Sequence, residues 1–232
     1  MGVTGMSKFH QFDSREALDQ ALASHVALQL RADLNRRGLA SLAVSGGSTP
    51  KGMFACLAQE KLDWNKVYIT LVDERWVETD SDDSNERLVR ENLLHGPAGS
   101  ARFVSMKTQH EDANDALAEL TARLESIPLP FSCVILGMGS DGHTASWFPQ
   151  AINLAELLDP TSEERLGTCQ PVTAPHQRIT LTLPVVLAAG EIILHVTGQE
   201  KRTVLADATK KHYPISAITA QHDNPASLWW TP

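Results

Sequence analysis

The chain has no cysteine pair, no long apolar run and no surplus of basic residues, and each absence removes a class of protein. Its three cysteines, Cys56, Cys133 and Cys169, are far apart and odd in number. With no C-x-x-C pair they give neither a disulfide framework nor a zinc knuckle, and they read as idle or buried thiols of a reducing cytosol. No apolar stretch approaches the roughly 20 residues that span a bilayer. Met1-Gly2-Val3-Thr4-Gly5-Met6 lacks the basic-then-apolar order of a signal peptide, and Met6 stands where N-myristoylation wants Ser or Thr. The expectation is a cytoplasmic protein that makes no membrane contact.

Charge narrows the partners further. Twenty Lys and Arg against 28 Asp and Glu leave a formal charge of -8, whereas a general nucleic-acid binder needs a basic face to neutralise phosphates. A few local cations can still hold a small anion inside an acidic protein. The nine histidines are scattered. With no H-E-x-x-H, no close His/Cys cluster and no calcium loop, neither a metal nor a cofactor is expected.

What is present is a globular composition with 42% hydrophobic residues over 232 positions, enough for one α/β domain spanning 1–232. Short apolar runs alternate with helical periodicity. Asp13 with Glu16 reads as a capping box, followed by Leu18, Leu22, Val26, Leu30 and Leu34 at four-residue steps and Gly38 as the stop. Leu42-Ala43-Val44 is a strand, after which Thr49 is read as an N-cap and Pro50 opens a short helix to Leu57. Strands are expected over Val67–Val72, near Phe103-Val104, over Cys133–Leu136, from Arg178 towards Leu183 and over Ile192–Val196. Helices are expected over about Asn85–Leu94, over Ala113–Leu124, at Pro184 and from near Gln199. Continuous apolar strands separated by helices imply a mainly parallel sheet covered on both faces. The Trp229-Trp230 pair is expected to pack on the core.

Four polar segments begin where apolar strands end: Ser45 to Thr49, Asp73 to Arg75, Gly137 to His143, and Gly198 to Lys201. Ligands of open parallel sheets bind beyond the carboxyl ends of the strands, so these segments should converge on one crevice. Ser45, Gly46, Gly47, Ser48 and Thr49 have the makings of a phosphate cradle: glycines for close backbone approach, hydroxyl donors and a following helix start. Ala43-Val44-Ser45-Gly46-Gly47 also approaches a nucleophile elbow, although no HGGG-type oxyanion loop precedes it.

Gly137, Gly139 and Gly142 surround Asp141 and His143 directly after a buried strand. An imidazole there can act as a general base near neutral pH, and the glycine backbone can offer N–H groups to an oxyanion. Asp73 or Asp141 could orient that imidazole, and the sequence leaves the choice open. Arg75, Arg178 and Lys201 are candidate cations for a phosphate.

Several of these stretches together resemble the glucosamine-6-phosphate deaminase/6-phosphogluconolactonase family. They are Ser45-Gly46-Gly47-Ser48-Thr49-Pro50, Val72-Asp73-Glu74-Arg75-Trp76-Val77, Asp83-Ser84-Asn85, and Gly139-x-Asp141-Gly142-His143-Thr144-Ala145-Ser146 with Phe148-Pro149. Arg178-Ile179-Thr180-Leu181-Thr182 and Gly198-x-x-Lys201 complete the set, in the family's order. The deaminases continue after the histidine with I-A-F-N-E-P. Here the continuation is the lactonase form, with Trp147 where leucine is more usual. The resemblance implies a single-domain, Rossmann-like α/β fold and hydrolysis of 6-phosphoglucono-δ-lactone in the oxidative pentose phosphate route, by His143 and water, without a cofactor. Two other readings remain on the sequence: an amino-sugar-phosphate deaminase with Asp73 as carbon-proton base, and a non-catalytic sugar-phosphate sensor. Nothing in the sequence fixes the oligomeric state, and a monomer is compatible with it.

Overall fold

The computed structural model describes residues 6–232; the Met1–Gly5 segment, read above for its lack of a targeting pattern, lies outside the described residues. In chain order the first half comprises β1 (Met6–Gln11), α1 (Arg15–Arg37), β2 (Ala40–Val44), α2 (Lys51–Leu57), β3 (Val67–Leu71), β4 (Asp73–Arg75), α3 (Asn85–Asn92), β5 (Arg102–Phe103) and α4 (Ala113–Leu124). The second half comprises β6 (Cys133–Leu136), α5 (Leu154–Leu157), β7 (Leu166–Cys169), β8 (Arg178–Leu181), α6 (Leu183–Leu187), β9 (Glu191–Thr197), α7 (Gln199–Asp207), α8 (Ser216–Thr219) and β10 (Ala226–Thr231).

Seven strands form one sheet in the order β1-β10-β9-β6-β2-β3-β5, and every pairing in it is parallel. The innermost strands explain themselves: Ala40–Val44 and Cys133–Leu136 are buried at every position, as a strand covered on both faces must be. Helix α1 lays Leu18, Leu22, Val26 and Leu30 into the core with no exposure, each such side chain worth about 2 kcal/mol of burial. It ends as read, with Gly38 at φ 75° and its N–H on the Leu34 carbonyl at 3.0 Å. Its start differs from the reading. Ser14, not Asp13, is the N-cap, its side chain accepting from the Ala17 N–H at 3.1 Å. Thr49 likewise makes no capping bond to α2, where the cap position is Pro50 itself.

A second, three-stranded antiparallel sheet, β4-β8-β7, went unread because its strands are short and its pairings long-range. It sets Arg75 directly opposite Arg178. The terminal strand β10 runs between β1 and β9, so Trp229 and Trp230 are buried as sheet residues. The indole N–H of Trp230 donates to the Gly198 carbonyl at 3.0 Å, fixing the turn that opens α7. Among the described residues no helix is long and apolar enough to cross a membrane.

Candidate active site

The carboxyl ends of β2, β6 and β9 and the small sheet enclose a cavity of about 500 Å³. The predicted convergence holds: Ser45 to Thr49, Asp73, Arg75, Gly137, Gly139, His143, Arg178 and Lys201 all line it. Asp141 and Gly142 do not line it.

The loop after β6 is shaped around His143. The Gly139 N–H donates to the His143 carbonyl at 2.8 Å, and Gly142 turns the chain at φ 78°. A side chain at Gly142 would meet the Tyr213 ring within 2.4 Å. One at Gly139 would meet the His143 ring at 2.3 Å and Asp141 at 2.6 Å. Glycine at 139 is therefore required by close approach, in addition to any role of its N–H.

His143 Nδ1 lies 2.6 Å from Asp141 Oδ1, and the same oxygen accepts the His143 backbone N–H at 3.2 Å. Burial works to raise Asp141, but the hydrogen bond and charge of His143 outweigh it and leave the carboxyl below its ordinary value. The imidazole stacks on Phe148 with ring centroids 4.3 Å apart. A carboxylate on Nδ1 makes that nitrogen the N–H and leaves the Nε2 lone pair facing outward, the tautomer a base needs. The choice left open by the sequence thus falls to Asp141 on geometry. Asp73 is engaged elsewhere: its Oδ2 accepts from Ser146 Oγ at 2.6 Å.

Ser45 departs from its reading. Its hydroxyl donates to the Ile135 carbonyl at 2.9 Å and accepts from the Gly137 N–H at 2.9 Å, stitching β2 to the loop after β6. Both capacities are used by backbone, so the hydroxyl is neither a free phosphate donor nor a nucleophile, and the elbow reading loses its serine. Gly46 is packed instead: a Cβ there would fall 1.8 Å from the Asn85 side chain, which is itself tied to the Asp73 carbonyl at 2.9 Å.

Arg75, Arg178 and Lys201 supply the cations of the lining. Arg178 is 5% exposed and lies over the Phe148 ring at 5.7 Å, its Nη2 donating to the Pro175 carbonyl at 3.1 Å. Arg75 Nη1 donates to the Asp83 carbonyl at 2.6 Å. The Nε groups of both arginines are buried without a partner. Burial lowers Arg178 first, partly offset by Asp73, and the facing Arg75 lowers it further. Two neighbouring guanidiniums with unmet donors at a cavity wall are the arrangement an anion relieves.

Sequence reasoning missed His176 and His195. His176, at φ 67°, lines the cavity with its Nε2 3.0 Å from Asp83 Oδ2. His195 sits on β9 at the cavity floor; its only signal was a polar residue inside an apolar strand. Trp147, the departure from the lactonase pattern, is fully buried with its indole N–H on the Leu181 carbonyl at 2.9 Å. Among the described residues no group of His, Cys, Asp and Glu is placed to hold a metal ion.

Comparison with known proteins returns one family. The family model described as glucosamine-6-phosphate isomerases/6-phosphogluconolactonase matches residues 13–230. A 6-phosphogluconolactonase of Rhizobium meliloti is 43% identical over 230 residues, covering 97% of this chain and 99% of that one. Another from Mesorhizobium japonicum is 44% identical over 226 residues, covering 97% and 95%. The crystal structure of a 6-phosphogluconolactonase from Shewanella baltica superposes with a TM-score of 0.95 at 43% identity, with all of both chains covered.

Proposed function

Because this chain belongs to the glucosamine-6-phosphate isomerase/6-phosphogluconolactonase family, we propose that it hydrolyses 6-phospho-D-glucono-1,5-lactone to 6-phospho-D-gluconate with His143 as general base. The observation that carries the mechanism is the His143–Asp141 pair at a cavity wall, with Nδ1 committed to the carboxylate at 2.6 Å. His143 Nε2 takes a proton from water as the water oxygen attacks the lactone carbonyl. The Gly137 and Gly139 N–H groups are already donated to Ser45 Oγ and the His143 carbonyl, so the resulting oxyanion is met by a cation of the cavity wall, where a fixed charge has its largest effect. The bond from the carbonyl carbon to the ring oxygen then breaks, and protonated His143 returns its proton to that oxygen. The cycle is balanced with water alone and calls for no cofactor.

The 6-phosphate is assigned to the backbone of Gly46, Gly47, Ser48 and Thr49 with Lys201, and Arg75 and Arg178 complete the anionic surroundings. Asp73 positions the Ser146 end of the loop. The 1–232 chain acts as one domain on a small-molecule substrate, in the cytoplasm, at the lactone step of the oxidative pentose phosphate route.

The test is to generate the lactone in situ with glucose-6-phosphate dehydrogenase and subtract its spontaneous opening. Acceleration is expected. Glucono-δ-lactone without the phosphate should be turned over about a hundredfold less efficiently, and Lys201→Ala should raise KM about tenfold, the value of one charge-assisted contact. Equal turnover of the two lactones would remove the phosphate assignment. Ammonia release from glucosamine 6-phosphate would favour the deaminase, and product binding without turnover the sensor. Gly139→Ala should fold yet lose roughly tenfold to a hundredfold in kcat, because its methyl displaces the His143–Asp141 pair. Unchanged kcat in that variant would show that the pair needs no such precise seat.

A further inference from the structure

His195 has no part in the mechanism above, yet it lines the same cavity with nothing to bond. It is 2% exposed and lines the cavity floor from the middle of β9, beside Trp229 of β10. Neither ring nitrogen has a hydrogen-bond partner. The nearest acid is Asp19 on α1, whose Oδ1 is 3.7 Å from His195 Nε2, beyond hydrogen-bond reach, and is itself unpartnered.

Asp19 is not loose packing. It takes an ion pair from Arg15 at 3.3 Å and fills the space a side chain at Gly52 would need, 2.0 Å from its Oδ2. Arg15 also donates to the carbonyls of Ser48 and Thr49, so the same residue holds Asp19 and the loop assigned to phosphate. Among the described residues, eight buried side-chain atoms lack a partner. Setting aside Arg15 Nε, which faces Asp19 in that ion pair, three belong to Asp19 and His195, and two more are the Nε groups of the cavity-lining Arg75 and Arg178. Orphaned polar atoms cost stability wherever they sit, so their concentration around one cavity marks a place completed by a ligand.

We propose that His195 is a further phosphate-binding residue, and that the Asp19–His195 pair takes up one proton as the phosphate arrives. This rests on the assignment of the phosphate to the Gly46–Thr49 loop. The stoichiometry follows from donors and acceptors. With Asp19 as carboxylate and the ring neutral, the single ring N–H turns to Asp19 and the other nitrogen offers a lone pair, which a phosphate dianion repels. One added proton, shared by the pair, gives a donor on each side. The groups around His195 agree with an uncharged empty state: burial, then Arg15, pushes it down to about 3, and burial also raises Asp19. Arg15 and Asp19 on α1 are the charged groups beside it, and Lys201 at the start of α7 lines the same cavity.

The experiment is calorimetry of the whole protein with inorganic phosphate, at about pH 8 where phosphate is mostly dianionic, in two buffers of different ionisation enthalpy. Wild type should take up roughly one proton per phosphate bound. His195→Leu should bind about tenfold more weakly with no uptake, while its Tm stays level or rises, because an apolar side chain removes two orphaned nitrogens. A residue that merely supported the fold would lower Tm instead. Asp19→Asn separates the two claims: its amide can donate to one ring nitrogen and leave the N–H on the other, so it should bind phosphate without proton uptake. Wild-type binding with no proton uptake, or His195→Leu binding as tightly as wild type, overturns the inference and leaves the loop assignment standing. Wild type that binds no phosphate at all overturns both.

Discussion

His143→Ala should lower kcat for 6-phosphogluconolactone by about 10² to 10⁴, the range a positioned general base supplies, while the variant still binds 6-phosphogluconate. The fold should survive, since His143 is half-buried on a loop and its ring packs on Phe148 without entering the sheet. What disappears is the Nε2 lone pair, because Nδ1 is held by Asp141 at 2.6 Å. Asp141→Asn makes the complementary case. The amide can still contact Nδ1, yet its NH₂ favours the opposite tautomer and places the proton on Nε2, so kcat should fall with little change in KM. The measurement is initial rate over the spontaneous background, with product binding followed separately. Turnover near wild type in His143→Ala would end the general-base assignment and turn attention to Asp73 and Asp83, the carboxylates that line the cavity.

The parts of this site that were legible in sequence are those written in consecutive residues. Gly139 to His143 carries its geometry in a short span, so both the histidine and its nearest carboxylate could be named without coordinates. Strands β2 and β6 were equally plain, because strands buried on both faces are unbroken apolar runs. The illegible parts depend on residues far apart in the chain. The hydroxyl of Ser45 looked free until Ile135 and Gly137 occupied it, 90 and 92 positions away. The β4–β8 pairing that sets Arg75 against Arg178 spans about a hundred residues, and β4, at three residues, is too short for a periodic signal. His195 was hidden for the opposite reason: it interrupts an apolar strand, and a single sequence does not say whether a buried histidine faces packing or a ligand.

Glu74→Leu should cost the largest share of stability of any single change near the site, about 4 kcal/mol, seen as a fall in Tm of roughly 8 to 16 °C for a chain of this size. Asp73-Glu74-Arg75 was read as one polar segment directed at the crevice, but Glu74 is 1% exposed and faces away from the cavity. Its Oε1 accepts the N–H groups of Arg75 at 2.7 Å and Asn85 at 2.8 Å. Its Oε2 accepts the Glu86 N–H at 2.7 Å and the Ser84 hydroxyl at 3.0 Å. Three of these four donors belong to the cap and first turn of α3, where N–H groups have no partner inside the helix. One carboxylate therefore ends β4 and starts α3, and α3 carries the Asn85 that closes on Gly46 and Asp73. Leucine fills the space and leaves the donors buried and unpaired.

The charge itself has a separable effect. Burial pushes Glu74 up to about 7, against the pull of its four donors. Because folding raises this pKa above the ordinary glutamate value of 4.5, the folded state binds more protons between those limits. The Glu74 contribution is then complete below about 4.5, and stability falls as pH rises towards 7. Glu74→Gln should flatten that slope in denaturant titrations across the window, whereas Glu74→Leu lowers stability at every pH. A wild-type slope of the opposite sign, lost in Glu74→Gln, would mean that the four donors outweigh burial and that Glu74 is ionised throughout.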